Sequence, residues 1–119
     1  MPRVLVLGFD PRAFASQFDP APVLAALDAG QARFAALGID AELCLVQPDD
    51  TALGQMRDRL EAGGWDCVVI GGGIRKPPEL LVMFEQVVNL VHELAPDAKI
   101  AFNTNPVDSA DGVRRVLAT

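Results

Sequence analysis

The chain has 119 residues and a formal net charge of −6, with 50% of its residues hydrophobic and 22% charged. That length can bury a core without disulfide or metal staples, and the composition excludes wholesale disorder. The cations are spread out, Arg75-Lys76 and Arg114-Arg115 being the only adjacent pairs, which argues against a nucleic-acid surface; no apolar run approaches the ~20 residues of a membrane span.

The chain enters a strand at once, since Val4 to Leu7 is a continuous apolar run of the kind covered on both faces. Such an N-terminus is not expected to be a signal peptide, and a cytoplasmic location follows as the default. From Gly8 the connection runs to a helix opened by Pro20 and Pro22, far longer than the ~2–6 residues usual between strand and helix. It carries Asp10, Arg12, Phe9, Phe14 and Phe18, and is expected to close over a ligand, to pin itself to the sheet edge, or both. Val23, Leu27, Gly30, Phe34 and Leu37 recur at helical spacing up to a stop at Gly38.

Ile39, Ala41, Leu43 and Leu45 alternate with Asp40, Glu42, Cys44 and Val46, a period of two with charges on one side that suits an edge strand. Thr51 is the expected N-cap of a second helix through Leu53, Met56 and Leu60, ending at Gly63-Gly64, and Asp49-Asp50 does no more than open it. Cys67 to Ile70 reads as a central strand running into Gly71-Gly72-Gly73, Arg75-Lys76 and Pro77-Pro78. Leu80, Phe84, Val87, Val91 and Leu94 mark a third helix, whose stripe is widened by Leu81, Met83, Val88 and Leu90 beyond the ~100° a surface helix needs. That surplus is either core or a surface for self-association into a homo-oligomer. His92 falls on the polar side of the helix and is expected to face solvent. Lys99 to Phe102 forms a fourth strand ending in Asn103-Thr104-Asn105-Pro106, and Asp108 or Ser109 caps a last helix ending near Leu117. Cys44 and Cys67 sit inside strands without a CxxC, so buried reduced thiols are expected rather than a disulfide or metal site.

Strict alternation of strand and helix predicts a single domain over 1–119, an α/β fold with three α/β/α layers. The sheet is expected to be mostly parallel, four strands in the order 2-1-3-4, Rossmann-like or flavodoxin-like. The topological switch point then falls between strands one and three and sets Gly8-Phe9-Asp10 beside Gly71–Gly73. Ligands of open parallel sheets bind beyond the carboxyl ends of the strands. The residues expected to bind there are Asp10, Arg12, Gly71, Gly72, Gly73, Arg75, Lys76, Asn103 and Asn105. The glycine amides would receive an anion and Arg75 and Lys76 would neutralise it. Asn103 and Asn105 would orient it or form an Asx-turn, and Asp10 would bond a hydroxyl or act as a base. The glycines match neither GxGxxG nor GxxxxGK[ST], so no nucleotide or cofactor is specified.

Residues 66–108, from Asp66-Cys67-Val68-Val69-Ile70 through Arg75-Lys76-Pro77 to Thr104-Asn105-Pro106-Val107-Asp108, resemble a segment of the malate and lactate dehydrogenase family. The resemblance implies a Rossmann-like sheet with a site at these loops. Arg75 would match an arginine holding a substrate carboxylate, Asn105 an asparagine near the nicotinamide ribose, and Gly73 a glycine against the cofactor. Gly8-Phe9-Asp10-Pro11 departs from the family's GxGxxG, the loop before Arg75 is one residue short, and the catalytic second domain is not among these residues, so dehydrogenase activity is not implied. Receiver domains share the outline, but Asp10 stands alone after strand one and Gly71 replaces their phosphoaccepting aspartate. A flavin phosphate loop would want several hydroxyls where only Ser16 occurs. The expected function is binding of an anionic metabolite or nucleotide; the alternative is a non-catalytic interaction module acting through self-association.

Overall fold

A computed structural model describes residues 2–117; residues 1, 118 and 119 of the expected domain lie outside them. Strands β1 (Arg3–Phe9), β2 (Asp40–Val46), β3 (Cys67–Ile70) and β4 (Lys99–Phe102) form an all-parallel sheet in the order β2-β1-β3-β4. Helices α1 (Ala21–Ala36) and α5 (Ser109–Leu117) cover one face. On the other lie α2 (Ala52–Glu61) and α4 (Leu81–Leu94), together with a one-turn helix that directly follows β3, α3 (Gly72–Arg75).

Side chains alternate along a strand, so each continuous apolar run supplies both cores. Leu5, Leu7, Cys44, Val46, Val68 and Ile70 pack with Met56, Leu60, Ile74, Val87 and Val91, while Val4, Val6, Cys67, Val69 and Ala101 pack with Phe34, Ala110 and Val113. Most of the wide stripe of α4 is core: Val87, Leu90 and Val91 are buried, and Met83, Phe84, Val88 and Leu94 pack against them. Leu81, 59% exposed, stays outside with its neighbour Val82, at 67%. In α1 the expected stripe ends at Phe34, since Leu37 lies past the helix and is exposed.

Gly38 (φ +71°) closes α1, and Gly63 and Gly64 (φ +77° and +78°) follow α2, left-handed conformations that glycine adopts without the usual steric cost. The start of α2 differs from expectation. Thr51 is already helical, and Asp49 is the cap: its Oδ1 accepts from the Thr51 N–H at 2.9 Å and from the Thr51 hydroxyl at 2.5 Å. Both cysteines are buried and unpaired; burial pushes the Cys67 thiol up to about 12 and raises that of Cys44. No helix among the described residues is long and apolar enough to cross a membrane.

Candidate functional site

The chain leaves β1 for α1 on one face and leaves β3 for α4 on the other. The two connections part at the carboxyl ends of neighbouring strands, as parallel sheets do at a switch point. A cleft of about 610 Å³ opens there, inside the ~300–1,000 Å³ range of small-molecule pockets. Gly8 and Gly71–Gly73 line it where the strands end. Phe9, Phe14 and Phe18 come from the first connection, Val23 and Leu27 from α1, Leu80 from the approach to α4, and Asn103 to Pro106 from beyond β4.

The first connection is pinned and also walls the cleft. It folds into a 3-10 turn, Pro11–Phe14, and its rings run in series: Phe9 and Phe14 are 6.0 Å apart, and Phe14 and Phe18 stack at 5.8 Å with 12° between their planes. Asp10 caps that turn, its Oδ1 accepting from the Arg12 N–H at 3.0 Å. The same carboxylate is gripped by the Arg12 guanidinium at 3.0 and 2.9 Å. Those bonds from Arg12, the side-chain ones foremost, hold Asp10 below the usual carboxylate value. A carboxylate so held is a poor base, and neither Asp10 nor Arg12 lines the cleft.

The triglycine turn is largely occupied by its own fold. The Gly71 N–H donates to the Leu7 carbonyl at 2.9 Å, and the Gly72 N–H donates to Asn103 Oδ1 at 3.0 Å. Of the three glycine amides, that of Gly73 alone has no partner among the described residues. Gly71 is glycine for space, because a Cβ there would stand 3.0 Å from the Leu7 carbonyl oxygen. Gly73 is different: a Cβ would meet nothing within 4 Å, and its φ is not positive.

The two adjacent cations diverge. Successive residues in a helical turn project ~100° apart, so one of them faces away from what the other faces. Arg75 donates to the Asn103 carbonyl, lies 5.4 Å from the Phe102 ring centroid and is absent from the cleft lining. Lys76 lines the cleft; its stem crosses Gly72, and its ammonium donates to the Thr104 carbonyl at 2.5 Å. It is the one cation among the described lining residues.

Asn103 is 5% exposed and serves the protein with both ends of its amide, since its Nδ2 donates to Ser109 Oγ at 2.9 Å. It joins β4 to the glycine turn and to α5. Asn105 forms the Asx-type cap: its Oδ1 accepts from the Val107 and Asp108 N–H groups at 2.8 and 3.2 Å, and Asp108 accepts in return from the Asn105 N–H. So α5 is entered through a capped 3-10 turn, Pro106–Asp108, rather than from Asp108 or Ser109 as N-cap. Burial disfavours the Asp108 carboxylate, but hydrogen bonds from Thr104 and Asn105 outweigh it and leave the group below its usual value. This turn is seated on α1 at Gly30, where a Cβ would fall 2.3 Å from the Pro106 carbonyl oxygen.

Gly71, Gly72, Gly73, Lys76, Asn103 and Asn105 are therefore gathered at the cleft, and Asp10, Arg12 and Arg75 are not. The lining residues that sequence reasoning passed over include Val23, Leu27, Leu45 and Leu80, which periodicity assigns to core stripes, and Gln17 and Glu79, which carry no motif. No family model matches the chain, and no curated protein matches it either. The dehydrogenase-like segment thus has no matching family model or curated relative behind it, and the arginine equated with a carboxylate holder is bonded to Asn103 and absent from the cleft lining.

Proposed function

We propose that the protein binds a small anionic metabolite or nucleotide in the cleft at the carboxyl ends of β1, β3 and β4. The observation that carries this reading is the cleft itself, about 610 Å³ at the switch point, with the Lys76 ammonium in its lining. Open parallel sheets place ligands at that point. Binding is the role the side chains suit: Asp10, the carboxylate at the end of β1, is committed to Arg12, and Glu79 is the one carboxylate among the described lining residues.

Gly73→Leu adds bulk at a lining residue whose Cβ would meet nothing within 4 Å. A thermal-shift screen against nucleotides, dinucleotides, flavins, sugar phosphates and carboxylates tests the reading. A ligand at ~100 times its dissociation constant adds about 2.7 kcal/mol. A shift in the native protein that disappears in Gly73→Leu supports the reading; shifts that survive the substitution, or none with any class, refute it.

A second reading, self-association, is supported by Leu81, Val82 and Phe102, large apolar side chains left exposed at and near the start of α4. Sedimentation velocity at tens of micromolar tests it, and a monomer there refutes it.

A further inference from the structure

Resting on that reading of the cleft, we infer that its ligand is a monoanionic carboxylate with a compact apolar body, and not a phosphorylated nucleotide. A bound phosphate monoester brings ~1.5–2 negative charges and three acceptor oxygens, and is ordinarily met by several successive backbone N–H groups or by more than one cation. Here the Gly71 and Gly72 amides are bonded to Leu7 and Asn103, and those of Ile74 and Lys76 turn back onto Gly71 and Gly72. Arg75 and Arg12 are bonded elsewhere.

The donors left open in the lining are the Lys76 ammonium, the Gly73 N–H and the side-chain amides of Gln17 and Asn105, and of these Lys76 alone is charged. The Lys76 ammonium lies over Gly72, the residue before Gly73: a Cβ on Gly72 would stand 3.5 Å from Nζ. An ammonium has three donors, and the Thr104 carbonyl takes one of them. A single, partly engaged ammonium among uncharged donors matches the single charge of a carboxylate. A second negative charge would meet Glu79, which also lines the cleft.

The rest of the lining sets the body of the ligand. Most of it is apolar, Phe14, Phe18, Val23, Leu27, Leu45 and Leu80, with Gln17, Thr104 and Asn105 as uncharged polar side chains at its margin. A ribose and a base would leave several hydroxyl and amide groups unpaired against that surface, which is costly. A planar or branched hydrocarbon fits it, and the parallel Phe14 and Phe18 rings favour an aromatic group.

The test uses 2-naphthoate, its uncharged amide and AMP, titrated into the full chain and read from the Gly73 amide resonance and by calorimetry. The expected result is that naphthoate binds at least ~10-fold more tightly than the amide. In Lys76→Gln that preference should vanish while the amide binds as before, and Gly73→Leu, melting near the native temperature, should bind neither. AMP binding more tightly than naphthoate, and lost in Gly73→Leu, would overturn the carboxylate inference and leave the cleft as the binding site. The same holds for a naphthoate preference that survives Lys76→Gln. Binding of any probe that is indifferent to Gly73→Leu, or no binding at all, would refute the cleft reading itself.

Discussion

Replacing Gly30 by alanine should destabilise the protein, although alanine is the better helix former by ~1 kcal/mol. Gly30 lies within α1, and its added Cβ would fall 2.3 Å from the Pro106 carbonyl oxygen. Ordinary contact begins at 3.4 Å, so helix and turn must separate by about 1.1 Å. Neither side gives easily. Pro106 begins a turn held by the reciprocal Asn105–Asp108 cap, and α1 is anchored by the buried Phe34. Overpacking of this kind costs ~1–3 kcal/mol, and with rigid backbone opposite the new methyl the upper part of that range applies. Subtracting the gain in helix propensity leaves a net loss of about 2 kcal/mol, or roughly 8 °C in Tm for a chain this size. Trp65, the only tryptophan and a buried one, reports unfolding by its fluorescence in urea or on heating. Gly73→Ala is the internal comparison: the same exchange into open space should leave the midpoint unchanged or raise it by up to ~1 kcal/mol. A Gly30→Ala midpoint equal to or above that of the native protein would refute the reasoning.

Asn103→Ala removes the acceptor of the Gly72 N–H and the donor to the buried Ser109 hydroxyl. Leaving such groups unpaired costs ~1–3 kcal/mol each, so a lower urea midpoint is expected, with altered amide shifts at Gly72 and Gly73; an unchanged midpoint would show that Asn103 does not hold the turn. Asp10 and Asp108 have folded values below the ordinary 3.8, so each contributes stability that is present above 3.8 and lost as pH falls through the depressed value. Acid titration of the melting temperature should show a fall confined below 3.8 that is smaller in Asp10→Asn; an equal fall in that variant would contradict the assignment. Cys44 and Cys67, buried and raised by burial, should resist a thiol-specific disulfide reagent at pH 8 until the chain unfolds. Fast labelling of the native protein would place a thiol nearer the surface.

The order of elements and the sheet order β2-β1-β3-β4 were legible in the sequence. Apolar period and run length report local geometry, and the handedness of crossovers converts alternating elements into a topology. The same logic located the cleft, because the end of a central strand and the switch point follow from topology alone. The strand pattern also read correctly the burial of both cysteines; for the broad face of α4 the sequence left core and self-association open, and packing made most of it core while Leu81 stayed exposed.

What each polar group does there was decided by tertiary structure. Arg75 and Lys76 are neighbours in sequence, and only the phase of the one-turn α3 sends the second into the cleft and the first toward Asn103 and Phe102. The glycine turn has the composition of an anion cradle, yet β4, far off in the chain, delivers the Asn103 oxygen that takes the Gly72 amide. Gly30 reads as one more member of an apolar stripe until Pro106 is laid against it. Local pattern specifies which segments are helix and strand and which faces are apolar. Whether a donor is open to a ligand depends on acceptors brought from distant segments, and that pairing exists only once the chain is packed.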